Sequence, residues 1–223
     1  MPIANEDVRP SALVTEANRQ ARQASLDSVR ALVRAVEAKD PYTRRHSEQV
    51  THYAIHLSRA MGVPPEQAEA FRVAALLHDV GKIGVPESVL TTPQPLTPEE
   101  FEHVRRHPGV GADILANITV FAVEALLVRH HHERWDGTGY PDGLRGEEAP
   151  LGSRIIHVAD CIDAMLMDRS YKKGYPVERM LDELARCSGS QFDPRIAAHA
   201  IRWCHSNPHQ LIRPGMTLET LAA

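Results

Sequence analysis

His78 and Asp79 stand side by side at the end of an otherwise apolar run, Val73-Ala74-Ala75-Leu76-Leu77, where further core residues would be expected. An imidazole and a carboxylate carried into such a position need partners, because a buried polar group without one is costly. A divalent cation satisfies both at once, and a carboxylate can bridge two cations with one oxygen on each. Taken alone, the pair reads more plainly as a hydrogen-bonded dyad or a polar helix cap. It has company, however. A second apolar run, Val123 to Val128, leads into His131-His132-Glu133, and a third, Ile155 to Ala159, leads into Asp160. Successive helical residues point about 100° apart, so adjacent ligands serve different metals or different edges of one cluster. Mixed imidazole and carboxylate ligation suits iron, manganese or zinc better than magnesium alone or a thiolate site.

Helices must position these groups. Leu26, Val29, Val33 and Val36 follow a three-four-three spacing, so residues 12–38 read as one amphipathic helix, packed on the domain or forming a short coiled-coil seam to a second copy. Asp40-Pro41 has the form of a helix start, with the helix running to about Ala60 before Met61-Gly62-Val63-Pro64-Pro65 interrupts it. Another helix is expected from Glu66 to Asp79, then loop to Pro95, then a restart at the capping box Thr97-Pro98-Glu99-Glu100. Further helices are expected over 101–107, 110–115, 119–132, 151–167, 177–186 and 194–204. Between two of them lies the glycine-dense loop Asp136 to Gly143. No alternating pattern is long enough for a sheet, so the expected fold is all-α.

Composition narrows the function classes. Hydrophobic residues at 43% and charged residues at 24% fit an ordinary folded globule rather than a disordered chain. A net charge of −4 argues against a non-specific nucleic-acid binder, which needs a basic face. The three widely spaced cysteines, Cys161, Cys187 and Cys204, suit free thiols in a reducing compartment. The polar start and the lack of a long apolar run predict a cytoplasmic chain with no membrane span.

His78-Asp79 with Lys82, the run His131-His132-Glu133-Arg134-Trp135-Asp136-Gly137-Thr138-Gly139-Tyr140-Pro141, and Asp160 with Asp163 together resemble the HD-GYP branch of the HD phosphohydrolase superfamily. The order of HDxxK and HHExxDGxGYP makes the match specific. It spans roughly Asp40 to Phe192. The resemblance implies an HD-type bundle of about seven to nine helices with a short N-terminal helix. It also implies hydrolysis of the bacterial second messenger cyclic di-GMP at two or three metals. The domain plan that follows is a helix at 1–39 for dimerisation or linkage, a catalytic domain at 40–205 and a tail at 206–223.

By position, the resemblance makes His46, His78, Asp79, His107, His131, His132 and Asp160 the metal ligands, with Asp79 bridging. His103 competes with His107, but the following Pro108-Gly109 favours His107. His130 and His157 are expected to be supporting or packing residues, and His52 and His56 ordinary helix-surface ones. Relatives with a third metal carry glutamate four residues before His46, where this chain has Tyr42, so two ions, iron or manganese with zinc as an option, are expected.

A water activated between the ions would attack phosphorus, with Lys82 neutralising a non-bridging oxygen. Arg169 and Lys172 match the family's Arg-x-x-Lys segment and are the expected grip on the second phosphate, with Ser170 in place of the usual proline. Tyr140 and Trp135 either stack on guanine or shape the loop. Linear pGpG is the first product implied, with GMP to follow if the linear form re-binds. GGDEF-domain proteins are partners that the GYP loop implies. Two competing readings are an HD phosphohydrolase for another cyclic dinucleotide, and a signalling module that binds without turnover.

Overall fold

The spacing of Leu26, Val29, Val33 and Val36 produces the helix it predicts: α1 spans Pro10–Lys39. A computed structural model describes residues 10–39, 46–168 and 173–212, with side chains from 16 to 38 in the first stretch. These four residues are each at most 6% exposed. Leu26, Val29 and Val33 join the core of their own domain. Arg22 extends from α1 to the Val120 carbonyl and to the buried Glu124 carboxylate, which pins the helix with a charged pair.

Nine further α-helices follow among the described residues: α2 (His46–Ala60), α3 (Pro65–Leu77), α4 (Glu87–Leu90), α5 (Pro98–Arg105), α6 (His107–Ala116), α7 (Ala122–Arg129), α8 (Leu151–Leu166), α9 (Val177–Arg186) and α10 (Pro194–Ser206). No strand occurs among them; an isolated bridge joins Ser188 and Phe192. The core lies where α2, α3 and α8 meet, with α10 against α2 and α8. Tyr53, Leu57, Leu77, Ile155, Ile156 and Ile162 fill it, each below 2% exposure. None of the helices searched is long and apolar enough to cross a membrane.

Three local expectations change. The stretch 80–95, read as loop, holds a 3-10 turn, Val80–Gly84, and the single-turn α4. The helix expected to reach Asp79 ends at Leu77. The one expected over 119–132 divides into a 3-10 turn, Thr119–Phe121, and α7, which ends at Arg129. The reason is common to both ends: histidine rings hydrogen-bond the last free carbonyls, so the backbone can leave the helix early. The predicted start at Asp40-Pro41 lies outside the described residues. The capping box at α5 forms as expected, with the Glu100 N–H donating to Thr97 Oγ1 at 3.2 Å and the Thr97 N–H to Glu100 Oε2 at 2.8 Å.

His52 and His56 are not ordinary surface residues. Both are half-buried; His56 stacks on Trp203 at 4.7 Å, and His52 lies 3.1 Å from the Gln210 carbonyl. The indole of α10 supplies an aromatic neighbour that helix spacing alone does not disclose.

Candidate metal centre

Three imidazoles sit just past three helix ends, each using a carbonyl that the helix leaves free. His78 Nδ1 is 2.8 Å from Ala75 O after α3, His107 Nδ1 is 2.7 Å from Val104 O after α5, and His131 Nδ1 is 2.6 Å from Val128 O after α7. A carbonyl only accepts, so Nδ1 carries the proton and Nε2 presents its lone pair to the space between the helices. A fourth ring, His46, opens α2 and is fixed by a carboxylate instead, Nδ1 lying 2.7 Å from Asp163 Oδ2.

Asp79 lies between these rings. Its Oδ1 is 3.3 Å from His107 Nε2, while Oδ2 is 3.5 Å from His78 Nε2 and 3.7 Å from His46 Nε2. His46 Nε2 is also 3.3 Å from Asp160 Oδ1. Lys82 Nζ reaches Asp79 Oδ2 at 2.5 Å from one turn further along. Potential ligand atoms of His46, His78 and Asp79 fall within 4.8 Å of one another, as do those of His107, His131 and His132. Gly81 makes the approach of the 78–84 turn to α6 possible, since a Cβ there would lie 1.9 Å from His107 O and 2.5 Å from Gly111 N.

Two features show that these residues fit a divalent cation. His78 Nε2 is buried without a hydrogen-bond partner, the state of an imidazole lone pair waiting for a Lewis acid. His107 Nε2 and His131 Nε2 face each other at 3.2 Å, and with both Nδ1 protons committed to carbonyls, two lone pairs oppose unless a positive charge lies between. Electrostatics agree. Burial, then the neighbouring imidazoles, holds His131 and His132 well below the usual histidine pKa, so they stay neutral and able to ligate. Burial opposes charge on Asp79 too, but Lys82, His78 and His107 outweigh it and keep the carboxylate ionised far into acid. His46 is the exception: against burial, Asp160 and Asp163 push its pKa up to about 10, so a cation taking Nε2 must displace a proton.

The GYP loop folds over one side of this cluster. Glu133, 2% exposed, accepts the backbone N–H groups of Asp142, Gly143 and Leu144 at 2.7, 3.1 and 3.1 Å. Gly139 passes so close that a Cβ would stand 2.3 Å from Arg134 N and 2.6 Å from His132 O. The turn brings the Tyr140 ring to 4.9 Å from His132, tilted by 30°. Burial, with Asp160 and Asp79 behind it, raises the Tyr140 phenol above its ordinary pKa. Trp135 is held structurally: its backbone N–H donates to Gln191 O and Arg154 lies over its ring.

The HD domain family profile matches residues 30–196. This chain belongs to the HD domain family. Its motifs and relatives place it in the HD-GYP branch. The cyclic di-GMP phosphodiesterase response regulator RpfG of Xanthomonas campestris is 40% identical over 173 residues, 77% of this chain and 46% of that protein. The 3'3'-cGAMP-specific phosphodiesterase 2 of Vibrio cholerae is 34% identical over 177 residues, 78% of this chain and 34% of that protein. The chain thus spans less than half the length of these relatives. Bd1817, an HDG"Y"P protein from Bdellovibrio bacteriovorus, shares the fold with a TM-score of 0.61 at 22% identity, covering 72% of this chain and 51% of that one.

Within this HD domain, the seven positions expected as ligands, His46, His78, Asp79, His107, His131, His132 and Asp160, converge. His103 is exposed on α5 while His107 is 1% exposed in the cluster, which separates the two candidates. His157 supports the His131 carbonyl at 2.9 Å and His130 pairs with Asp142 at 2.9 Å, both in supporting positions as expected. Tyr42, Arg169 and Lys172 lie outside the described residues. Sequence reasoning assigned no task to Asp163 or Glu133. Asp163 is 3% exposed and one turn after Asp160, a signal that it shares the inward face of α8. Glu133 precedes a glycine-dense loop whose many N–H groups need an acceptor.

Proposed function

We propose that this HD domain is a metal-dependent phosphodiesterase that opens cyclic di-GMP to linear pGpG, and to GMP where the linear product re-binds. The observation that carries the reading is Asp79, whose two oxygens face different sets of imidazoles. In this reading His46, His78, Asp79 and Asp160 hold one cation, and Asp79, His107, His131 and His132 hold another. Iron or manganese suits this mixed donor set, with zinc as the alternative. Two ions rather than three follow from Tyr42, a poor ligand where a third ion would need a carboxylate.

Ions so held supply Lewis acidity toward phosphate and a water acidic enough to react near neutral pH. The chain's own residues do the rest. Asp163 orients the His46 ring, and the three helix-end carbonyls orient His78, His107 and His131. Lys82, its side chain 21% exposed beside Asp79, would neutralise a non-bridging phosphate oxygen in this reading. Tyr140 closes the His132 side against solvent. Arg169 and Lys172 are assigned to the second phosphate from their sequence position. The GYP loop is the surface for GGDEF-domain partners in this reading, and the three free cysteines support a reducing, cytoplasmic compartment.

Elemental analysis joined to cyclic di-GMP turnover under added manganese or iron tests the proposal. About two ions per chain, lost together with turnover in Asp79→Ala, is the expected result. A metal-free protein inactive under every supplement overturns it. The cGAMP-specific relative supports a second reading, hydrolysis of 3'3'-cGAMP, which the same assay with both substrates decides.

A further inference from the structure

α5 is a helix with no core to bury: none of its eight residues is buried, although Thr97 and Glu100 cap its start. Beyond α6, which follows it in the chain, two of its side chains meet the GYP loop. Phe101 and Arg105, one turn apart on the same face, both reach Tyr140. The Phe101 ring meets Tyr140 edge-on with centroids 6.4 Å apart, and the Arg105 guanidinium lies 5.2 Å over the Tyr140 ring. Tyr140 in turn rests on His132 at 4.9 Å, so α5 forms a wall two ring contacts from the centre.

The wall leaves chemistry unused. Phe101 is 46% exposed, an apolar ring standing in water beside the cluster. Arg105 has 42% of its side chain exposed, so the guanidinium over the Tyr140 ring keeps N–H donors open to an incoming acceptor. Its carboxylate neighbour, Glu102 Oε2, is 3.8 Å away and 53% exposed, a contact that an incoming acceptor readily displaces.

We propose that Phe101 and Arg105 read one guanine base of the cyclic dinucleotide, Phe101 as the stacking surface and Arg105 as a two-pronged donor to O6 and N7. This rests on the function proposed above and adds the element that selects the base. A phosphate grip alone needs charge and leaves the exposed ring beside it without purpose; a flat base uses both. Guanine presents two acceptors to the fork, whereas adenine presents an amino donor in place of O6, so the same arginine rejects it.

Steady-state kinetics on the full chain test this with cyclic di-GMP, with cyclic di-AMP as substrate or competitive inhibitor, and with bis(p-nitrophenyl) phosphate, which has no base. Arg105→Ala is expected to raise KM for cyclic di-GMP roughly ten- to a hundredfold while kcat changes less than about threefold. Preference for guanine over adenine falls by the same factor, and the nitrophenyl ester is unaffected. Arg105→Lys keeps the charge but loses the fork and behaves like alanine. Phe101→Ala weakens both dinucleotides, and Phe101→Trp restores them. Calorimetric binding of a hydrolysis-resistant phosphorothioate analogue of cyclic di-GMP follows the KM values. Equal losses on both dinucleotides in Arg105→Ala, rescue by lysine, or no loss at all overturns the proposal. Wild-type protein that cleaves only the nitrophenyl ester instead refutes the cyclic dinucleotide function itself.

Discussion

Glu133 ties the loop over the centre to the end of α7, and its removal has a calculable consequence. The buried carboxylate accepts three backbone N–H groups: those of Asp142 and Gly143 on Oε1, and that of Leu144 on Oε2. Hydrogen bonds to a charged group contribute roughly 1.5–3 kcal/mol each, and the three donors share one acceptor, so their contributions do not add in full. Asp142 and Gly143 are themselves exposed, so water recovers part of the loss once the loop lifts. Glu133→Ala should therefore cost about 3 kcal/mol locally. Glu133→Gln retains one oxygen for two of the donors and turns an amide N–H toward Leu144, costing about 2 kcal/mol. The measurement is amide hydrogen exchange at 142–144, where alanine should lower protection roughly a hundredfold, since each 1.4 kcal/mol is tenfold. Because Gly139 and Tyr140 ride on this turn, contact with His132 loosens and cyclic di-GMP turnover falls with it. Unchanged exchange at these three amides in both variants would refute the argument that Glu133 organises the loop.

Asp163→Asn is expected to weaken metal binding about 10- to 100-fold in a manganese titration while the fold is retained, because His46 loses the carboxylate that orients it; unchanged affinity removes that role. Gly81→Ala forces a methyl group against the His107 and Gly111 backbone, with an expected loss of about 1–3 kcal/mol in urea unfolding and a lower metal content. His56 provides a pH test. Burial, then the charges of His52 and Arg59, lowers its pKa from 6.5 to about 4 in the folded protein. Between those values the unfolded chain binds the extra proton, so His56's contribution to stability is complete above pH 6.5 and declines as pH falls toward 4. His56→Gln should reduce that slope in pH-dependent melting; an identical slope contradicts the assignment.

The helices were legible in the chain because their signals are local. Leu26, Val29, Val33 and Val36 repeat at helical spacing, Thr97 and Glu100 stand three apart, and α9 covers Val177–Arg186 as read. The helix ends near the site were misplaced by two or three residues, because histidine rings compete for the terminal carbonyls and propensity does not record that competition. The candidate ligand positions were also legible, through the ordered motifs that carry the family resemblance.

What sequence left open depended on contacts between distant segments. Which surface covers the apolar stripe of α1 is not written in its spacing, and Leu26, Val29 and Val33 meet the core of this domain. The exposed face of α5 carries no pattern that sets it apart from a solvated helix; only its approach to Tyr140 gives Phe101 and Arg105 a setting. Asp79 shows the division most clearly. Its type and its place beside His78 follow from the chain, but its position between two sets of imidazoles exists only once α2, α3, α6 and α7 have packed. Sequence names the donors, and packing at ångström distances decides which of them share a charge.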